Sequence, residues 1–208
     1  MIKTGTDITG ILLAGGMSSR MGREKGLVRL GDRYLYQYPL QVLQSLCDEI
    51  LISTCVDLPI PETHSRVCDE IPGLGPMGGI YTCLKRSSNE TSIVISYDLP
   101  MISEGLFRYL LAGSSGHDAV FPALRPDRPE PLCAVFKKSM IPVLENLIAK
   151  GEFAVHKVIP LARSRIMPVG AHLTFYHPDI FININREEDM DRLPPGFGRK
   201  KPGDYDQA

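Results

Sequence analysis

Two adjacent glycines followed by three cations stand near the start of the chain. Residues 9–25 read TGILLAGGMSSRMGREK, and the cations are Arg20, Arg23 and Lys25. Backbone N–H groups of a glycine-rich loop bind phosphate oxygens, and nearby Lys and Arg side chains add positive charge. Adjacent glycines also let a ligand approach the backbone, because no Cβ is in the way. The spacing predicts a phosphate cradle; the alternative is an ordinary turn at the end of a strand.

A carboxylate that could hold a metal ion follows the plainest strand pattern of the chain. The apolar run 92–96 reads SIVIS, and Asp98 stands two residues after it. A side chain at the carboxyl end of a buried strand can reach the ligand crevice of an α/β protein. Mg²⁺ prefers oxygen ligands and takes one or two carboxylates together with phosphate oxygens. The position predicts that Asp98 binds Mg²⁺; the alternative is a turn former before Pro100.

The elements that would position these residues alternate between strand and helix patterns. An apolar run at 11–14 is followed by helical spacing over 34–46 and by a second apolar run at 49–54. This order builds a parallel sheet whose ligands gather at the carboxyl ends of the strands. We therefore predict an α/β fold with three layers, in which a mostly parallel twisted sheet is flanked by helices. Further strands are predicted at 66–68, 92–96, 118–121 and 131–136, and helices at 80–86, 104–112 and 140–149.

Two further stretches are candidates for ligand contacts. Residues 71–79 read IPGLGPMGG, follow Asp69 and lead into a helical pattern, so they could bind at a helix N-terminus; the alternative is a flexible connection. In the run 181–185, alternation places Asn183 and Asn185 on one face, although Asn is a poor strand former. The asparagine pair could border a site; the alternative is a polar edge strand with turn-forming asparagines.

Composition limits the class of protein. The chain has 208 residues, of which 43% are hydrophobic, and a net charge of −1, which argues against a general nucleic-acid binder. It has no apolar stretch long enough to span a membrane, and its N-terminus lacks the apolar region of a signal peptide. Five cysteines without a C-x-x-C pair predict free thiols in a reducing cytoplasm. Residues 1–193 are predicted to form one domain, and the Pro-, Gly- and charge-rich 194–208 a disordered tail.

The stretch from Leu13 to Lys25, LAGGMSSRMGREK, resembles a nucleotidyltransferase signature, L-A-G-G-x-S-x-R-M-G-x-x-K. Enzymes with this signature join a nucleoside triphosphate to a phosphorylated acceptor and release pyrophosphate. Among them, the chain looks most like the molybdenum cofactor guanylyltransferases, over about residues 8–190. The resemblance implies a Rossmann-like nucleotidyltransferase fold, with a nucleotide-binding half at about 1–100 and an acceptor-binding half at about 101–193. It also implies GTP as donor and the phosphorylated pterin of the molybdenum cofactor as acceptor.

The resemblance further implies roles for individual residues. Arg20, Lys25 and Asp98 would be catalytic, with Asp98 as the ligand of the Mg²⁺ cofactor, because SYDLP is similar to the C-D-x-P element of the family. Asn183 and Asn185 would contact the acceptor or assist the metal. Ser53 and Thr54 stand where the family often has Asn, which removes a nucleotide contact or replaces it by a hydroxyl. The implied nucleotide contacts are Leu13, Ala14, Gly15, Gly16, Lys25, Asp69, Gly78 and Asp98.

Two other functions stay open. A cytidylyltransferase for the same cofactor, or for another phosphorylated small molecule, is the alternative enzyme, although L-A-G-G favours the guanylyl branch over the L-A-A-G of the cytidylyl branch. A nucleotide-binding module without catalysis is the alternative of a different class, and the presence of Arg20, Lys25 and Asp98 argues against it. Molybdenum-insertion proteins and molybdoenzyme apoproteins are candidate protein partners. No nucleic-acid or membrane partner is expected.

Overall fold

The computed structural model describes residues 7–15, 28–194 and 197. Gly16, Arg20 and Lys25 of the predicted phosphate cradle therefore lie outside the described residues. Most of the predicted disordered tail also lies outside them, and the ring of Phe197 stacks on Tyr38 with 5.3 Å between the centroids. The predicted division into a nucleotide-binding and an acceptor-binding half stays a prediction.

One mixed sheet forms the centre of the fold. The strands of this sheet are β1 (Ile8–Leu13), β4 (Glu49–Ser53), β5 (Ser65–Val67), β6 (Thr91–Ser96), β7 (Ala119–Arg125), β8 (Arg128–Pro129), β9 (Cys133–Lys137) and β10 (Ser164–Pro168). Two further strands, β2 (Arg29–Leu30) and β3 (Arg33–Tyr34), lie outside it. The sheet order is β10-β7-β9-β6-β1-β4-β5, with β8 paired to β7, and β2 and β3 form a hairpin.

Most neighbouring strands of this sheet are parallel, as predicted. β1 pairs in parallel with β4 and β6, β4 with β5, and β10 with β7. β9 runs antiparallel between β6 and β7. The central strands are buried on both faces, which explains why they read as continuous apolar runs rather than as alternating patterns. The carboxyl ends of β1, β4, β5 and β6 consequently meet along one edge.

Helices cover both faces of the sheet, and this confirms the predicted three layers. Within the described residues the α-helices are α1 (Gln37–Leu46), α2 (Pro76–Arg86), α3 (Glu104–Ala112) and α4 (Ile141–Ala149). Buried residues of α1 and α3 pack with Leu12 of β1 on one face. Those of α2 and α4 pack with Ile11 and Leu13 on the other. Successive side chains of β1 thus alternate between two cores, as a strand requires. No helix in the described part of the chain is long and apolar enough to cross a membrane.

Two predicted helix starts were wrong. α2 begins at Pro76 rather than Ile80, because Gly75 adopts a positive φ of 59° and Pro76 has the fixed φ that suits the first helical position. The last four residues of the predicted loop 71–79 are therefore the first turn of α2. α1 begins at Gln37 rather than at residue 34, because residues 33 and 34 pair with β2 across a turn.

The run 181–185 pairs with no strand of the sheet, so the alternative of a polar edge strand does not hold. Its alternation is nevertheless present. Ile182 and Ile184 are buried in the core, and Asn183 and Asn185 are exposed. Conversely, β10 was not predicted, because Ile166 is exposed on this edge strand and only Met167 is buried.

The prediction of free thiols was wrong for two of the cysteines. Cys55 and Cys68 form a disulfide with Cα atoms 4.8 Å apart, whereas Cys47, Cys83 and Cys133 are free thiols. The pairing follows from the topology, because Cys55 comes just after β4, Cys68 comes just after β5, and the two strands are parallel neighbours. Their separation of 13 residues forms no recognisable motif.

The double variant Cys55→Ser/Cys68→Ser should be less stable than the oxidised protein. A cross-link over a loop of this length restricts the unfolded chain and contributes about 3 kcal/mol. Urea unfolding without reductant measures the loss, and with reductant the two proteins should unfold alike. Cys47→Ser, which removes a thiol outside the disulfide, is the control. If the oxidised protein and the double variant had equal free energies of unfolding, the disulfide would not contribute to stability.

Candidate active site

Hydrogen bonds beyond the strand ends hold the carboxyl edge of the sheet together. The N–H of Ala14 donates to the carbonyl of Ser53 at 2.9 Å, and the N–H of Tyr97 donates to the carbonyl of Leu13 at 3.0 Å. The residues that follow β1, β4 and β6 are therefore fixed relative to one another. This edge is the place where parallel α/β sheets bind ligands.

Among the predicted nucleotide contacts that the structure describes at the end of β1, Gly15 is the exposed one. Leu13 and Ala14 are buried, with 5% and 7% of their surface exposed, so they would meet a ligand through the backbone. Gly15 is exposed, and a Cβ added to it would lie only 3.3 Å from the carbonyl oxygen of Ser53. A glycine here keeps the backbone close to β4 and open to a ligand.

The predicted nucleotide contacts Asp69 and Gly78 lie against each other. A Cβ added to Gly78 would be 3.1 Å from Oδ2 of Asp69, and Oδ1 accepts a 3.2 Å hydrogen bond from the hydroxyl of Ser53. Partial burial raises the pKa of the Asp69 carboxyl, and the hydrogen bond from Ser53 opposes that shift. The structure thus brings one carboxylate to the first turn of α2.

Gly79 gives α2 its close approach to the sheet. A Cβ at this position would lie 2.3 Å from Oγ of Ser53 and 3.1 Å from Cδ2 of Leu13. Any side chain here would push the first turn of α2 away from the ends of β1 and β4. The two adjacent glycines of α2 therefore have different neighbours: Gly78 faces Asp69, and Gly79 faces Ser53.

Asp98 and the asparagine pair come together, although they are far apart in sequence. Asp98 follows β6 and is only 8% exposed. Its carbonyl accepts a 2.9 Å hydrogen bond from the N–H of Ile184. Because Ile184 is buried, the exposed residues on either side of it, Asn183 and Asn185, are held at the same edge of the sheet as Asp98. The predicted metal ligand and the predicted acceptor contacts are thus neighbours.

Glu130 is a site residue that the sequence did not single out. The N–H of Ser96 donates to the carbonyl of Leu132 at 2.8 Å, so the segment before β9 runs beside the residues that follow β6. Burial raises the pKa of the Glu130 carboxyl, a backbone hydrogen bond from Leu132 opposes this, and the nearby charge of Asp98 raises it further. The available signal was a carboxylate three residues before the apolar run of β9.

Comparison with known proteins shows the family to which the chain belongs. The profile of the MobA-like NTP transferase domain matches residues 10–164. The chain belongs to the MobA-like NTP transferase family. A relative from Pelotomaculum thermopropionicum, named probable molybdenum cofactor guanylyltransferase, is 33% identical over 184 residues, which are 88% of this chain and 89% of the relative. The prediction of a nucleotidyltransferase is confirmed.

Solved structures have the same fold as this MobA-like protein. The molybdopterin-guanine dinucleotide biosynthesis protein A of Archaeoglobus fulgidus superposes with a TM-score of 0.75 at 24% identity, covering 88% of this chain and 95% of the other. A Mycobacterium tuberculosis protein, solved in complex with manganese, superposes with a TM-score of 0.64 at 16% identity, covering 89% and 97%. The predicted nucleotidyltransferase fold is confirmed.

The donor atoms around Asp98 suit a hard divalent cation. Asp98 and Glu130 offer carboxylate oxygens, and the neighbouring Asn183 and Asn185 carry amide oxygens. The described residues contain no group of three or more His, Cys, Asp or Glu side chains arranged to hold a metal. Mg²⁺ fits such a site, because it binds one or two carboxylates and completes its shell with water and phosphate oxygens.

Proposed function

We propose that this MobA-like enzyme transfers GMP from GTP to the phosphate of the molybdenum-pterin cofactor, which yields the guanine dinucleotide form and pyrophosphate. The observation that carries the proposal is the position of the buried Asp98, which shares the carboxyl edge of the sheet with Gly15 and with the asparagine pair. The names of relatives that match nearly the whole chain support the guanylyl reading. GTP and the molybdopterin are therefore the proposed substrates.

The proposed reaction is a direct displacement at phosphorus. An oxygen of the acceptor phosphate attacks the α-phosphorus of GTP, the bond from that phosphorus to the bridging α–β oxygen breaks, and pyrophosphate leaves with the electron pair. No general base is needed, because a phosphate monoester is already largely ionised near neutral pH. Both reactants are anionic, and two unit charges about 4 Å apart repel by about 4 kcal/mol at an effective dielectric constant near 20. Offsetting this repulsion is the main catalytic task.

We assign the residues of the site to these tasks. Arg20 and Lys25 would bind the phosphates of GTP, and the backbone N–H groups around Gly15 and Gly16 would complete the cradle. Asp98 would hold Mg²⁺, which supplies positive charge to the phosphate oxygens when bound. The signature at residues 13–25 supports the roles of Arg20 and Lys25, and the buried position of Asp98 after β6 supports its role.

Asp69 and Gly78 would contact the nucleoside, because they lie together at the first turn of α2. Asn183 and Asn185 would face the acceptor or assist the metal, since they are exposed beside Asp98. Protein partners that deliver the pterin or receive the product, and a cytoplasmic location, stay predictions from the sequence. Cell fractionation with an antibody against the chain tests the location.

Binding of a nucleotide panel tests the proposed function. The intact protein is titrated calorimetrically with GTP, CTP, ATP and UTP, each with Mg²⁺, and is then incubated with the preferred triphosphate and molybdopterin. We expect binding selective for GTP, followed by formation of the guanine dinucleotide and one pyrophosphate per product. A preference for CTP would replace the proposal by a cytidylyltransferase. Binding of GTP without transfer to molybdopterin would contradict the proposed acceptor.

A further inference from the structure

Ser53 is a buried polar residue at the end of β4, at the position where the resemblance places a nucleotide-contacting asparagine. Only 3% of its surface is exposed, and its hydroxyl donates to Oδ1 of Asp69 at 3.2 Å. The side chain thus points sideways along the edge of the sheet, toward the carboxylate that follows β5. The hydroxyl of Ser53 is therefore hydrogen-bonded to another residue of the protein.

The first turn of α2 covers this hydroxyl. A Cβ at Gly79 would lie 2.3 Å from Oγ of Ser53, so helix and hydroxyl are already in close contact. A larger side chain at position 53 would have to displace α2 or turn away from Asp69. The site therefore has room for a serine hydroxyl, and that hydroxyl bridges the gap between β4 and Asp69.

The Asp69 carboxylate is consequently hydrogen-bonded at one oxygen and lies close to Gly78 at the other. The hydroxyl of Ser53 donates to Oδ1, and Oδ2 lies 3.1 Å from the position that a Cβ on Gly78 would occupy. A half-buried carboxylate accepts hydrogen bonds and donates none while it is ionised. The groups of a nucleoside that suit it are therefore ring N–H, amino or ribose hydroxyl donors. An orientation fixed before binding lowers the cost of ordering the carboxylate when the ligand arrives.

We propose that Ser53 is a positioning residue that acts on the nucleoside of the bound triphosphate through Asp69. The hydroxyl fixes the rotation of the Asp69 carboxylate so that it faces the donors of the base or of the ribose. In place of a direct contact between an asparagine at this position and the nucleotide, Ser53 would act on the nucleotide indirectly, through Asp69. This inference rests on the proposed function for the identity of the ligand, but it concerns any triphosphate that Asp69 contacts.

A double-mutant cycle separates an indirect role from a direct one. The proteins are wild type, Ser53→Ala, Asp69→Ala and the double variant, each titrated with GTP and assayed for KM and kcat. Ser53→Ala should raise KM about tenfold with little change in kcat, which is the scale of one hydrogen bond to a charged group. In the Asp69→Ala background, the same substitution should have no further effect on KM. Equal, additive effects in the two backgrounds would overturn the proposal.

Two analogues identify the donors that Asp69 meets. ITP lacks the 2-amino group of guanine, and 2′-deoxy-GTP lacks one ribose hydroxyl. If Asp69 reads the base, Ser53→Ala should reduce the discrimination against ITP; if it reads the ribose, the discrimination against 2′-deoxy-GTP should fall. Unchanged discrimination against both analogues would exclude the 2-amino group and the 2′-hydroxyl as the partners of Asp69 and assign that role to the ring N–H or the 3′-hydroxyl, which these analogues retain.

Ser92→Ala is the matched control, because Ser92 is also a fully buried serine in a central strand but lies near the start of β6. It should leave KM, kcat and analogue discrimination unchanged. Thermal unfolding of every variant checks that the fold is retained. If wild type prefers CTP to GTP, the proposed function fails, and the same cycle run with CTP still tests the coupling between Ser53 and Asp69.

Discussion

Asp98→Asn should lower the rate of GMP transfer about 10³-fold or more while the protein stays folded. The substitution keeps the shape of the side chain and removes the charge that would hold Mg²⁺. A bound metal stabilises developing charge on phosphate oxygens by several kcal/mol, and about 4 kcal/mol corresponds to about 10³ in rate. A neutral amide costs less to bury than a carboxylate, so the 8%-exposed position should tolerate it.

Two measurements test this prediction. Pyrophosphate release is followed at increasing Mg²⁺, and Mn²⁺ binding is followed by the loss of the electron paramagnetic resonance signal of free Mn²⁺. We expect Asp98→Asn to have low turnover at all metal concentrations and weaker Mn²⁺ binding. Asp127→Asn is the control, because Asp127 is an exposed carboxylate paired with Arg125 in the turn between β7 and β8. An unchanged dependence on Mg²⁺ in Asp98→Asn would refute the metal role.

Lys25→Ala should lower turnover by about two to three orders of magnitude. Lys25 occupies the last fixed position of the signature, where its ammonium would bind the phosphates of GTP. Removal of one group that stabilises transition-state charge costs about 10²- to 10³-fold in kcat. The loss should appear mainly in kcat, because the charge that the ammonium stabilises increases as pyrophosphate leaves.

Single-turnover kinetics with GTP and molybdopterin measure this effect without a contribution from product release. Lys25→Arg keeps the charge but changes its geometry, so it should recover part of the rate. Lys150→Ala, which removes an exposed lysine just after α4, should leave the rate unchanged. If the Lys25→Ala protein had the wild-type kcat, Lys25 would not be a catalytic residue, and Arg20 would be the remaining candidate for stabilising the phosphate charge.

The sequence alone determined the features that are encoded over a few neighbouring residues. The apolar run of β6 and the helical spacing of α3 are local patterns, and the predicted bounds of α3, 104–112, coincide with the observed helix. The glycine pair with its following cations predicted a phosphate cradle, and the resemblance of residues 13–25 to a nucleotidyltransferase signature implied the enzyme class. Asp98 could be singled out because it stands two residues after a buried strand, where its side chain can reach the ligand crevice of an α/β protein. The alternating pattern around Asn183 also survived, although no strand formed there.

Only the tertiary structure decided which distant residues meet, because no local pattern encodes a contact between separate elements. The parallel pairing of β4 and β5 creates both the Cys55–Cys68 disulfide and the hydrogen bond from Ser53 to Asp69, across 16 residues of sequence. The antiparallel β9 brings the segment of Glu130 to the carboxyl end of β6, where the charge of Asp98 contributes to the raised pKa of the Glu130 carboxyl. The sheet order is set by the burial of whole strand faces, which depends on every strand and helix at once. The sequence could therefore predict candidate site residues, whereas the residues that contact them were identified only from the tertiary structure.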